Sequence, residues 1–185
     1  AMQQKKAVEA IKAVIGKSGG FVGYHEKDAD GRAVPPGPAW LRKLVGIDFL
    51  SDVVVIRSRD PSSTDGAAEV TDDFVKQYIA GLTKLKKLDL SGASITDAGL
   101  ENLKGLTNLE VLDLWEAPIT DAGLKHLQGL TNLELLLLWD TRITDVGLEH
   151  LQGLTNLEVL YLNRTQVTDG GLKHLQGLTK LRHLI

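Results

Sequence analysis

The chain has 185 residues, of which 43% are hydrophobic and 24% charged, and a formal net charge of −3 at pH 7. That is ample length for one core, and no stretch approaches the roughly 20 apolar residues of a membrane-spanning helix. With no cysteine in the chain, disulfide bonds, thiol nucleophiles and cysteine-ligated zinc are excluded.

Ala1-Met2 reads as a cloning remnant, and no signal-peptide pattern follows it. Residues 3–15 put Ala7, Val8, Ile11, Val14 and Ile15 on one side of an amphipathic helix, which Gly16, Gly19 and Gly20 end. Phe21-Val22-Gly23-Tyr24 and Arg32-Ala33-Val34 predict a hairpin turning at Asp30-Gly31. Pro35-Pro36-Gly37-Pro38 is stiff and extended, and Trp40, Leu41, Leu44 and Val45 suggest a short helix. Residues 1–50 carry 8 Lys+Arg against 5 Asp+Glu, a net +3, and read as an N-terminal α+β cap.

Two motifs here resemble ligand sites but lack the required spacing. Gly16-Lys17-Ser18 looks like the end of a phosphate loop, yet Ile11 stands where that loop needs glycine, and a helix rather than a strand precedes it. Asp28-Ala29-Asp30-Gly31 looks like part of a calcium loop, but Gly37 falls where a bidentate carboxylate is needed. His25-Glu26 has no identifiable nucleophile beside it. No catalytic residue, metal site or cofactor is assigned, and the chain reads as a non-enzyme.

From residue 51 onward the chain is periodic. Thr96-Asp97-Ala98-Gly99-Leu100 returns 24 residues later as Thr120-Asp121-Ala122-Gly123-Leu124, then as Thr144-Asp145-Val146-Gly147-Leu148 and Thr168-Asp169-Gly170-Gly171-Leu172. A fixed period of this size marks a solenoid. Leu112 and Leu114 alternate with polar residues, as in a short strand. Leu124 and Leu127 stand three apart, as on one side of a short helix, with Asp121 placed to cap it and Gly129 to turn out of it. A degenerate first unit spans 51–84, with Val53-Val54-Val55-Ile56 as its strand and Val70-Thr71-Asp72-Asp73-Phe74-Val75 as its version of the phrase. Between them lies the polar insertion Asp60-Pro61-Ser62-Ser63-Thr64-Asp65-Gly66, either a floppy loop or a partner-contacting one. Regular units occupy 85–180, and 181–185 begin another strand.

The recurring pattern LxxLxLxx(A/T)x(I/V)TDxGLxxL resembles the leucine-rich repeat family, most closely its bacterial, cysteine-containing-like subclass. Ala93, Ala117, Thr141 and Thr165 hold the column where that subclass often has Cys or Asn. The resemblance covers about residues 50–185. It implies an α/β fold: a right-handed solenoid with a parallel sheet on its concave face and short helices outside. It also implies a recognition role, and suggests a soluble excerpt of a membrane-anchored bacterial protein.

Strand residues between the buried leucines should line the concave face. Val111, Leu135, Val159, Leu137, Tyr161, Trp115 and Trp139 then form one apolar patch, rimmed by Glu116, Asp140 and Arg164. Exposed aromatic patches rimmed by charge mark interaction sites, so a protein or peptide partner is the expected ligand. Two other readings remain open: assembly or self-association through the apolar C-terminal strand around Leu184, and sugar binding by Trp115 and Trp139. Residues 51–185 carry 13 Lys+Arg and 19 Asp+Glu, a net −6, which repels phosphate and argues against nucleic acid. His126, His150 and His174 form a column that reads as solvent-facing helix residues, and Asp97, Asp121, Asp145 and Asp169 one that reads as helix caps.

Overall fold

Leucines that recur in step along a chain can be buried only if successive turns stack, and this chain stacks them. A computed structural model describes the backbone of residues 26–27, 33–34 and 53–55, and residues 70–185 without the side chain of Tyr78. The predicted helix at 3–15, the proline-rich segment, the helix around Trp40 and the insertion at 60–66 lie outside the described residues.

Six short strands, β3 (Val53–Val55), β4 (Lys87–Asp89), β5 (Val111–Asp113), β6 (Leu135–Leu137), β7 (Val159–Tyr161) and β8 (His183–Leu184), form one parallel sheet in sequential order. The register follows the period: Leu88 pairs with Leu112, Leu112 with Leu136 and Leu136 with Leu160. The central residue of β4 to β7 is buried and its two neighbours are half-buried, so alternation sends leucine inward and the flanking pair to the concave face.

Each regular unit leaves the sheet through a turn and returns by a helical segment. The helices are α1 (Asp72–Phe74), which runs into a π-turn at Val75–Ile79, α2 (Asp97–Glu101), α3 (Asp121–Leu124) and α4 (Asp145–Leu148). The last two tighten into 3-10 turns at Lys125–Leu127 and Glu149–Leu151. That tightening matches the sequence, because a 3-10 turn brings every third residue to the same side, and Leu124, Leu127 and Leu130 are all fully buried. The final unit has no α-helix, only a 3-10 turn at Leu172–Leu175. Gly170 and Gly171 lie together at its start, and glycine is the weakest ordinary helix former. The core is one continuous ladder of leucine columns from Val70 to Leu178, each leucine contributing about 1.5–3 kcal/mol by leaving water.

The predicted hairpin needs correcting in its first strand. Strand β1 is Glu26–Lys27 rather than Phe21-Val22-Gly23-Tyr24, pairing antiparallel with β2 (Ala33–Val34). Lys27 stands opposite Ala33 and Glu26 opposite Val34, and the expected turn at Asp30-Gly31 lies outside the described residues.

Candidate functional site

The scaffold that holds the site uses the recurring phrase differently from its sequence reading. Threonine, not aspartate, is the N-cap: Thr96, Thr120 and Thr144 accept from the amides of Ala98, Ala122 and Val146 at 3.2–3.3 Å. The aspartate that follows is the first helical residue and reaches into the next unit. Asp97 Oδ1 accepts from the Thr120 amide at 2.8 Å, and its Oδ2 from the Thr120 hydroxyl at 2.6 Å. Asp72, Asp121 and Asp145 bind Thr96, Thr144 and Thr168 in the same two-pronged way. The phrase glycine makes room for this bridge. A Cβ on Gly123 would stand 2.3 Å from Asp97 Oδ1, and one on Gly99, Gly147 or Gly171 would meet the preceding unit's aspartate equally closely. Thr, Asp and Gly are therefore one interlock between units.

Other columns serve the same end. Asn108, Asn132 and Asn156 donate their side-chain amides to the carbonyls of Thr83, Thr107 and Thr131 at 2.8–2.9 Å. The hydroxyls of Thr141 and Thr165 donate to the Leu138 and Leu162 carbonyls at 2.6 Å, a bond Ala93 and Ala117 cannot make. The histidine column is half-buried rather than fully exposed. Gln128 Nε2 donates to His150 Nδ1, and Gln152 Nε2 to His174 Nδ1, both at 3.0 Å. Burial, aided by Lys104 and Lys125, pushes the His126 pKa down.

The interlock predicts an acid response. The Thr168 amide and hydroxyl hold the Asp145 carboxyl below the usual carboxylate range. A carboxyl whose folded pKa is depressed adds stability above its unfolded value, and that stability disappears as pH falls through the folded value. Asp145→Asn should therefore flatten the acid limb of stability against pH, measured by thermal melts across the carboxylate range.

On the sheet's open face the sequence-read residues come together. Trp115 and Trp139 are stacked, with ring centroids 5.2 Å apart and planes 21° from parallel, and each is 36% exposed. The Arg164 guanidinium lies over Trp139, 5.7 Å from the ring centroid, and 3.5 Å from Asp140. Leu135, Leu137 and Tyr161 join the tryptophans around a depression of about 340 Å³. Val111 and Val159 are half-buried beside Leu135 in the same row, aligned by strand register. The depression has one lining residue outside the sequence-read set, Asp113, whose Oδ1 accepts from the Trp115 amide at 3.0 Å. Its row, Asp89, Asp113, Leu137 and Tyr161, could be read from the period, but an acid following another acid in that row gave no sign of facing a pocket.

The rim residues carry unusual backbone. Glu116, Asp140 and Arg164 have φ of 57°, 56° and 54°, and Gly92 shares the column with φ 64°. The left-handed region costs a non-glycine residue about 1–2 kcal/mol. Each site keeps a charged side chain where glycine fits without strain. The amides of Glu116 and Asp140 continue the ladder beyond the strands, donating to the Trp139 and Asn163 carbonyls, both at 3.0 Å. Glu116→Gly should raise stability by about 0.5–1 kcal/mol, the relieved strain less the added chain entropy of glycine. A thermal melt checks this.

Two family models described as leucine-rich repeat match the chain, over residues 81–104 and 131–185. The array is built of leucine-rich repeats. No match is found among curated proteins. Among solved structures, internalin C2 from Listeria monocytogenes aligns with TM-score 0.51 and 24% identity, covering 97% of this chain and 91% of that one. A second internalin from that organism gives 0.42 and 25%, covering 57% of this chain; the chain spans 36% of that internalin's length. The LRR ectodomain of the receptor kinase SOBIR1 from Arabidopsis thaliana gives 0.48 and 18%, covering 100% and 91%. The likeness to internalin C2 is one of fold. Leucine-rich-repeat arrays in general serve protein–protein interaction through an extended surface. Among the described residues no helix is long and apolar enough to cross a membrane.

Proposed function

We propose that the chain is a non-catalytic interaction module that captures a protein or peptide on its concave face, through Trp115, Trp139, Tyr161, Leu135 and Leu137 with Val111 and Val159 beside them. The observation that carries this reading is the tryptophan pair, stacked and one-third exposed on a sheet face where Leu135, Leu137 and Tyr161 are half-buried. Exposed indoles are expensive to leave in water and dominate interface energetics. Glu116, Asp140 and Arg164 supply the charged rim of such a surface, and the strain at these positions accords with retention for contact rather than stability.

Two competing readings fare less well. A sugar stacks on an open ring face, whereas Trp139 lies between Trp115 on one side and Arg164 on the other. Assembly through β8 would draw on Leu184 and Ile185, which are exposed at 43% and 52% but away from the aromatic pair. The test is capture of displayed peptides by wild type against Trp139→Ala, beside a glycan array. Capture that depends on Trp139 supports the module. Equal capture by both proteins moves the site elsewhere, and sugar binding alone replaces the partner class.

A further inference from the structure

One edge of the concave patch carries charge that the chain itself leaves unbalanced. Glu110, Glu134 and Glu158 occupy consecutive rungs of the ladder. The Glu134 amide donates to the Glu110 carbonyl and the Glu158 amide to that of Glu134, both at 2.8 Å. Neighbouring strands stand about 4.8 Å apart, so three carboxylates share one short row. Lys86 pairs with the first of them, its Nζ 2.9 Å from Glu110. Glu134 and Glu158 enter no ion pair among the described residues, and neither does Glu116 on the opposite rim. Arg182 follows Glu158 in the row but is exposed and forms no ion pair with it. In the segments 110–116, 134–140 and 158–164 that build the patch, the one Lys or Arg is Arg164, which lies beside Asp140 at 3.5 Å.

These glutamates adjoin apolar surface, and that decides what they select. Glu134 and Glu158 immediately precede Leu135 and Val159, which are half-buried in the next row. A lysine or arginine can lay its methylenes along such side chains while its charged end reaches a carboxylate. An acidic segment would be repelled at both rims. A neutral one would suit the tryptophans but displace water from Glu134 and Glu158 without replacing it. A segment with an apolar residue for the tryptophans and a cation beside it satisfies both. The repeat array, at net −6, steers the same kind of segment toward this face.

We propose that the partner segment captured here is basic, with an apolar residue on Trp115 and Trp139 and a lysine or arginine over Glu134 and Glu158; this rests on the concave patch being the interaction site.

Random-peptide display selected on wild type and Trp139→Ala, followed by titration of one enriched peptide, tests it. Wild type should enrich peptides that join Lys or Arg to an aromatic or aliphatic residue. The doubly substituted Glu134→Gln/Glu158→Gln protein should bind such a peptide about threefold to tenfold more weakly at low ionic strength, and the difference should shrink as salt screens it. Glu101→Gln, which removes a charge at a helix outside the sheet, should bind like wild type. If the double variant binds as wild type does, the assignment of Glu134 and Glu158 is overturned. If wild type enriches neutral or acidic peptides whose capture still needs Trp139, the basic partner falls and the patch stands. Basic peptides held equally by Trp139→Ala are bound by charge alone, which overturns both, as does the absence of any peptide above the Trp139→Ala background.

Discussion

Gly123→Ala should destabilise the array by about 2–4 kcal/mol, although it adds a single methyl group to a helix where alanine is intrinsically preferred. Propensity alone favours alanine by about 1 kcal/mol. Against it, the new Cβ would stand 2.3 Å from Asp97 Oδ1 and 3.0 Å from a Leu100 methyl. The aspartate cannot swing away without giving up both bonds to Thr120, at 2.8 and 2.6 Å. Hydrogen bonds to a charged group contribute about 1.5–3 kcal/mol each, so losing the pair outweighs the propensity gain. The denaturation midpoint measures the outcome. Gly129→Ala, where a Cβ would meet nothing within 4 Å, serves as the control and should be neutral or slightly stabilising. Adding Asp97→Ala to Gly123→Ala should give a loss smaller than the sum of the two single losses, because the two residues share one interaction.

That interlock also marks where sequence reading stopped. The period, the strand alternation and the leucine columns all rest on local spacing, and the register of β4 to β7 follows from them directly. The concave rows were legible for the same reason, so Trp115, Trp139, Leu135, Leu137 and Tyr161 could be placed on one face. Asp97 was read as a cap because a carboxylate at a helix start has a sufficient local explanation. Its actual partner, Thr120, is 23 residues away, and no local rule points there. The same applies to Asn132 and Gln128, which bond to the preceding and following units. The left-handed backbone at Glu116, Asp140 and Arg164 was hidden because those residue types do not announce it; only Gly92 in that column hinted at it. In β1, the apolar run Phe21-Val22-Gly23-Tyr24 drew the prediction away from the polar Glu26–Lys27 that pairs.

Trp139→Ala is the second large effect, and it should separate binding from folding. Trp139 stacks on Trp115 and lies beneath Arg164, so it is the central member of the exposed stack. Truncating a central interface tryptophan typically costs 2 kcal/mol or more, which is about thirtyfold in affinity. The fold should lose far less. The ring is 36% exposed, so the fold gives up only part of a tryptophan's burial, together with the aromatic stack at about 0.5–1.5 kcal/mol. The core leucines of the same strand region, Leu136 and Leu138, are fully buried in the ladder.

The most direct measurement is a binding titration of one selected peptide against wild type and Trp139→Ala, with thermal melts of both. The concave-face account predicts an affinity loss of about thirtyfold with a melt displaced by only a few degrees. Equal affinities for two folded proteins would contradict it.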